Sequence, residues 1–129
     1  MANVLFVCLH NAGRSQMSEA LFTRAADRRH RARSAGTQPA ERVHPQVVDA
    51  MREIGIDLGD RTPRRLDMGL AEWADIVVTM GCGDECPLIP GKTYLEWDLP
   101  DPAGLAIDDV RTLRDDIDRR VGQLAAELD

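Results

Sequence analysis

Residues 3–15 read Asn-Val-Leu-Phe-Val-Cys-Leu-His-Asn-Ala-Gly-Arg-Ser, an apolar stretch that meets a Cys and, after five intervening residues, an Arg-Ser pair. Asn3 to Val7 has the makeup of a strand buried in a parallel sheet. Ser15 to Arg29 carries Met17, Ala20, Leu21 and Ala25 as helical apolar positions. The segment between them is therefore a strand-to-helix loop. Backbone N–H groups converge at such a junction and the helix dipole adds partial positive charge, the arrangement that holds a tetrahedral anion. Arg14 can close the cradle with two parallel hydrogen bonds to one oxyanion, which a lysine cannot match. The candidate oxyanion-binding residues are thus Leu9, His10, Asn11, Ala12, Gly13, Arg14 and Ser15. The same positive field should favour Cys8, at the floor, as a thiolate nucleophile. Asn11 suits a residue forced toward positive φ, and Gly13 lets the backbone curl. Ser15 is expected to cap the helix and to reach the sulfur, while His10 is read as a loop residue.

Two other readings of this loop are weaker. A nucleotide phosphate loop needs a Gly where Cys8 stands and a Lys where Arg14 stands. An inert buried thiol would leave Asn11, Gly13 and the Arg-Ser pair without a purpose.

The 129 residues are enough for one compact domain spanning residues 1–129. A formal charge of −6 argues against general affinity for nucleic acid or anionic membrane, so function rests on a local positive site. No stretch approaches the roughly 20 apolar residues of a membrane span, and the N-terminus lacks a signal-like apolar core. Three cysteines fit a disulfide framework poorly and suit thiols that work in a reducing compartment, so a cytoplasmic monomer is expected.

Further along, strands and helices alternate, the pattern of a parallel sheet covered on both faces. Arg31 to Ala35 is a second strand, Asp75 to Met80 a third, and Thr93 to Trp97 a fourth at the edge. A helix starts near His44 with Pro45 in its first turn and Val47, Ala50, Met51 and Ile54 on one face, ending at Gly55. Thr62-Pro63 gives the same start signal for a short helix. The last helix runs from about Asp108 to Leu128, with Val110, Ile117, Val121, Leu124 and Leu128 as its buried stripe. The expected architecture is α/β, a four-stranded parallel sheet between two helical layers. Ligands of such sheets sit beyond the carboxyl ends of the strands, so the loops after Val7, Met80 and Trp97 should converge.

The loop after Met80 contains Cys82 and Cys86 among glycines. They could form a disulfide with each other, or Cys82 could swing toward Cys8, and either way the pair can supply electrons. A zinc site from Cys8, His10, Cys82 and Cys86 competes. Its first two ligands have unusual spacing and the oxyanion loop would be wasted, so no metal is assigned. Gly81-x-Gly83 lacks the third glycine of a dinucleotide fingerprint. In the loop after Trp97, Pro102 restrains Asp101, and an anionic guest nearby would favour the protonated carboxyl that a general acid needs. Asp98 is its alternative, and a plain turn residue the bland reading. Arg28, Arg29, Arg31 and Arg33 read as a solvated helix end.

With these residues in view, the chain resembles the low-molecular-weight tyrosine phosphatase family over nearly its whole length. Within it, the chain is most similar to the three-cysteine arsenate reductases. Cys8 to Ser15 resembles the family's Cys-x5-Arg-Ser loop, Ser34-Ala35-Gly36-Thr37 the turn after its second strand, and Asp101-Pro102 its general-acid loop. Ala103 stands where phosphatases of the family carry an aromatic residue. The resemblance implies that Cys8, Arg14, Asp101, Cys82 and Cys86 are catalytic. Arsenate, phosphate or sulfate would occupy the loop, and a Cys8 adduct would be resolved by Cys82 and then Cys86. It also implies no tightly bound cofactor, and an external reductant that is either thioredoxin or a low-molecular-weight thiol with a glutaredoxin-like partner. The reductases' potassium site is matched at Asn11, Glu19, Ser34 and Thr62, with Arg64 where an acidic residue is expected. The alternatives are a phosphatase acting through a phosphocysteine at Cys8 and a non-catalytic thiol or zinc sensor.

Overall fold

The computed structural model describes residues 1–81 and 90–129. Eight elements follow one another: β1 (Asn3–Cys8), α1 (Arg14–Ala26), β2 (Arg31–Gly36), α2 (Pro45–Arg52), α3 (Met68–Trp73), β3 (Ile76–Thr79), β4 (Thr93–Glu96) and α4 (Ile107–Leu128). The four strands form one parallel sheet in the order β2-β1-β3-β4, with Asn3 opposite Arg31, Val4 opposite Ile76 and Ile76 opposite Thr93. The α/β architecture read from the sequence is therefore the observed one.

Side chains alternate across a strand, so β1 feeds two cores. Val4, Phe6 and Cys8 join the larger one with α1, α2 and α4, whereas Leu5 and Val7 join Leu70, Ala74 and Val77 beneath α3. Phe6 lies 5.7 Å from the Phe22 ring and 5.9 Å from Trp97, tying α1 and the end of β4 to the central strand. Truncating a side chain so placed typically costs about 3–5 kcal/mol.

Three local expectations are corrected. The Thr62-Pro63 stretch is extended, because its neighbours pair with the end of β2: Gly36 N donates to Arg64 O (2.8 Å) and Leu66 N donates to Gly36 O (2.9 Å). The short helix begins at Met68, where Asp67 caps it by accepting from Leu70 N at 2.8 Å. Helix α1 stops at Ala26 rather than Arg29, since Asp27 (φ 45°) and Arg28 (φ 73°) turn left-handed and lead the chain into β2. Ser15 does not cap α1. The cap position falls at Gly13, which leaves the Ser15 side chain free for the site.

The chain crosses from β2 on one side of β1 to β3 on the other, and at that reversal a crevice opens beyond the strand ends. Among the described residues, no helix is long and apolar enough to cross a membrane.

Candidate active site

Cys8 closes β1 and is 2% exposed. The loop after it is held from outside through its carbonyls. Those of Cys8, Leu9, His10 and Ala12 accept from the N–H groups of Thr37, Gln38, Ala40 and His44 at 2.8–3.2 Å, and that of Gly13 accepts from Met17 N. The C=O and N–H of a trans peptide point opposite ways. The N–H groups of Leu9, His10, Asn11, Gly13 and Arg14 are thereby turned to the other side of the loop, where Asn11 N donates to Cys8 Sγ at 3.3 Å. Two glycines allow the packing. A Cβ on Gly36 would sit 2.7 Å from Leu9 O, and one on Gly13 would sit 2.3 Å from Pro102 Cγ. Gly36 lets the turn after β2 press on the loop, and Gly13 lets the Asp101-Pro102 turn do the same.

Asn11 takes the left-handed conformation anticipated for it (φ 49°) and is fully buried. Its Oδ1 accepts from Gln16 Nε2 (3.0 Å) and from the backbone N of Arg64 (2.9 Å). The second donor is unambiguous and fixes the amide, so Nδ2 donates to Ser15 Oγ at 2.7 Å. The Ser15 hydroxyl in turn lies 2.9 Å from Cys8 Sγ. Cys8 Sγ thus meets the Asn11 N–H and the Ser15 hydroxyl.

Arg14, the first residue of α1, is 6% exposed. Its Nη1 donates to Leu99 O at 3.4 Å and its Nη2 lies 3.8 Å from Asp101 Oδ2. Its Nε is buried without a hydrogen-bond partner among the described residues, an arrangement an oxyanion above Cys8 would satisfy. The loops after β1 and β4 meet here, together with the described start of the segment after β3. Gly81 (φ +83°), two residues past β3, lies so close that a Cβ would stand 2.3 Å from Arg14 Nη1. Asp101 also accepts from Ala103 N at 3.0 Å, the bond of a turn residue. Asp98 is exposed. Cys82 and Cys86 lie outside the described residues, and with them two ligands of the zinc alternative.

His44 was missed as a site residue. It precedes α2, and its ring carbon Cδ2 lies 3.6 Å from the Cβ position of Gly13. Burial holds its pKa below 6.5, Asp101 opposes that, and His10 and Arg14 add to it. Its neighbour Pro45 signalled only a helix start. The role of Gln16 was equally invisible, because it depends on which face of α1 meets Asn11. His10 is a loop residue as expected, with Nδ1 at 3.0 Å from Gln38 O. The basic cluster is solvated: Arg29 pairs with Asp129 and Arg33 stacks over Trp73.

Several known proteins are similar to this chain. A Halobacterium salinarum relative with a provisional arsenate reductase name is 44% identical over 128 residues, which cover 95% of this chain and 90% of the relative. A glutaredoxin arsenate reductase of Synechocystis sp. is 32% identical over 131 residues, covering 99% of each. The solved thioredoxin-dependent arsenate reductase of Corynebacterium glutamicum superposes with a TM-score of 0.85 at 39% identity, over 98% of this chain. The chain spans 61% of that protein's length. Residues 3–129 match the low molecular weight phosphotyrosine protein phosphatase family, and the chain belongs to it.

Proposed function

We propose that this chain reduces arsenate to arsenite as part of arsenic detoxification. The observation that carries the reading is the buried Arg14 Nε, unpartnered among the described residues, at the end of the loop that starts from Cys8, whose sulfur lies within hydrogen-bond distance of Asn11 N and Ser15 Oγ, in a chain with two further cysteines. Arsenate lies in the loop against Arg14, and the Cys8 thiolate attacks arsenic. A hydroxyl leaves as water with the proton of Asp101, giving a Cys8 sulfur–arsenate adduct. The Cys82 thiolate attacks the Cys8 sulfur. The sulfur–arsenic electron pair stays on arsenic, which departs as arsenite, and a Cys8–Cys82 disulfide remains. Cys86 attacks Cys82, frees Cys8 and leaves a Cys82–Cys86 disulfide for an external dithiol. Gly81, the residue before Cys82, lies against Arg14, which supports the first exchange. The similarity to relatives named for both thioredoxin and glutaredoxin makes the reductant an experimental variable. Either system keeps thiols reduced in the cytoplasm, where we place the chain.

Arsenite production is to be measured with thioredoxin, its reductase and NADPH, with a glutaredoxin and low-molecular-weight thiol system in parallel. Cys82→Ser should abolish multiple turnover while a Cys8 adduct still forms. Steady-state reduction in that variant overturns the relay. A phosphatase reading is favoured by one observation, that Cys8, Arg14 and Asp101 suffice for a phosphocysteine cycle. It requires aryl phosphate hydrolysis to survive Cys82→Ser and to exceed arsenate reduction in the wild type.

A further inference from the structure

His44 stands at the oxyanion loop, yet the proposed reaction does not use it. Its backbone N donates to Ala12 O at 2.9 Å, which fixes the residue against the loop. Its ring closes on the same point as the Asp101-Pro102 turn: a β-carbon on Gly13 would meet Pro102 Cγ at 2.3 Å and His44 Cδ2 at 3.6 Å. The residue is half-buried, and neither ring nitrogen has a hydrogen-bond partner among the described residues. Three charged or titratable groups among the described residues act on the imidazole: Asp101 from the loop after β4, His10 from the loop after β1 and Arg14 from α1. All three belong to the site. His10 itself is tied through Nδ1 to Gln38 O at 3.0 Å, which leaves His44 as the imidazole beside the Asp101-Pro102 turn.

We propose that His44 is a titratable member of the oxyanion site: its protonation and the filling of the loop are coupled, so that the loop holds a dianion more tightly once the imidazole is charged. A tetrahedral dianion against Arg14 meets one full positive charge there, and Asp101 already draws on that charge from 3.8 Å. A second cation beside Gly13 offsets the deficit through space, without touching the guest. The coupling also runs in reverse. Burial chiefly holds the His44 pKa below 6.5, Asp101 opposes this, and His10 and Arg14 add to it. A dianion beside Arg14 cancels the repulsion from the guanidinium. It must then raise the proton affinity of the imidazole by the factor by which the proton raises the affinity for the anion. The charge of Arg14 is constant, whereas that of His44 makes retention of the guest depend on pH.

The inference rests on the loop being an oxyanion site and not on the fate of arsenate, so its failure and that of the reduction assay are distinct results. Inorganic sulfate is the probe, because it keeps both charges across the range in which histidine titrates. Sulfate dissociation constants are to be measured by NMR titration of the full chain at about pH 5 and about pH 8, for the wild type and His44→Gln. At the lower pH the wild type should bind about three- to tenfold more tightly than the variant, and at the higher pH, where the imidazole is neutral, the two should agree. Cys8, His10 and Asp101 are common to both proteins and drop out of the comparison. In the wild type, saturating sulfate should move the midpoint of the His44 ring-proton titration upward by about 0.5–1 in pH, the same three- to tenfold factor. A variant weaker than wild type by one factor at both pH values has lost packing alone, which overturns the proposal. So do equal affinities at the lower pH, a His44 midpoint that sulfate leaves in place, or a wild type that binds no sulfate. Should the Gln variant not fold, the wild-type midpoint with and without sulfate decides.

Discussion

Replacing Asn11 separates what its side chain does from what its backbone demands. Asn11→Gly keeps the left-handed conformation and removes three hydrogen bonds, those with Ser15 Oγ, Gln16 Nε2 and Arg64 N. At about 1 kcal/mol for each, with a further penalty for the Gln16 donor left unpaired, the loss is about 3–4 kcal/mol. Asn11→Ala loses the same bonds and adds about 1–2 kcal/mol for a β-carbon at positive φ. Glycine in turn gives the unfolded chain more freedom, worth about 0.5–1 kcal/mol, so the Gly variant should be the more stable of the two by about 0.5–1 kcal/mol. Domains of this size are stable by about 5–15 kcal/mol, so both variants should fold measurably. Urea unfolding read by linear extrapolation gives both differences. A Gly variant within about 1 kcal/mol of wild type would remove Asn11 from the centre of the loop's support. An Ala variant at least as stable as the Gly variant would show that the backbone there is not constrained.

Asp101→Asn should cut kcat by about 10²-fold or more while leaving the urea midpoint unchanged, since the side chain is 43% exposed and its bond from Ala103 N survives. A kcat within a few-fold of wild type removes Asp101 as the acid. The same variant should move the His44 NMR titration further below 6.5, because Asp101 opposes the downward push of burial. An unmoved His44 signal separates the two residues. Gly81→Ala should weaken inorganic phosphate binding about ten- to hundredfold by displacing Arg14, checked by calorimetry, and an unchanged Kd refutes the contact. Hydrogen bonds from Arg111 and then Arg114 hold the Glu53 carboxyl down from 4.5 to about 2. A depressed folded-state value gives stability that is present above 4.5 and is lost as pH falls toward about 2. Glu53→Gln should flatten that stretch of the stability–pH curve, and a curve parallel to wild type would falsify the assignment.

The parts of this molecule that were legible in the sequence are those whose signals are local. The apolar run into Cys8 and the spacing to Arg14 determine a strand, a loop and a helix start within one continuous segment, and Pro45 and Gly55 bracket α2 by their own backbone preferences. Thr62-Pro63 misled because its conformation is decided by Gly36, a distant residue whose N–H and C=O are both taken by the passing chain. Ser15 was assigned to the sulfur correctly but to the helix cap wrongly, a matter of two residues in where the first turn closes. His44 and Gln16 enter the site only through tertiary packing, and nothing in their neighbours' types marks them. The turn at Asp101 is legible because Pro102 advertises it, and Gly13 makes room for that turn.

The loop's outward-bonded carbonyls carry a wider implication. A receptor whose scaffolding is completed during folding does not reorganise when a guest arrives, so it reads size and charge and little else. Phosphate would pass that inspection as well as arsenate. On the proposed function, discrimination would fall to chemistry after docking: a sulfur bond to arsenic that a second thiol can cleave reductively would commit the guest, and one to phosphorus would not.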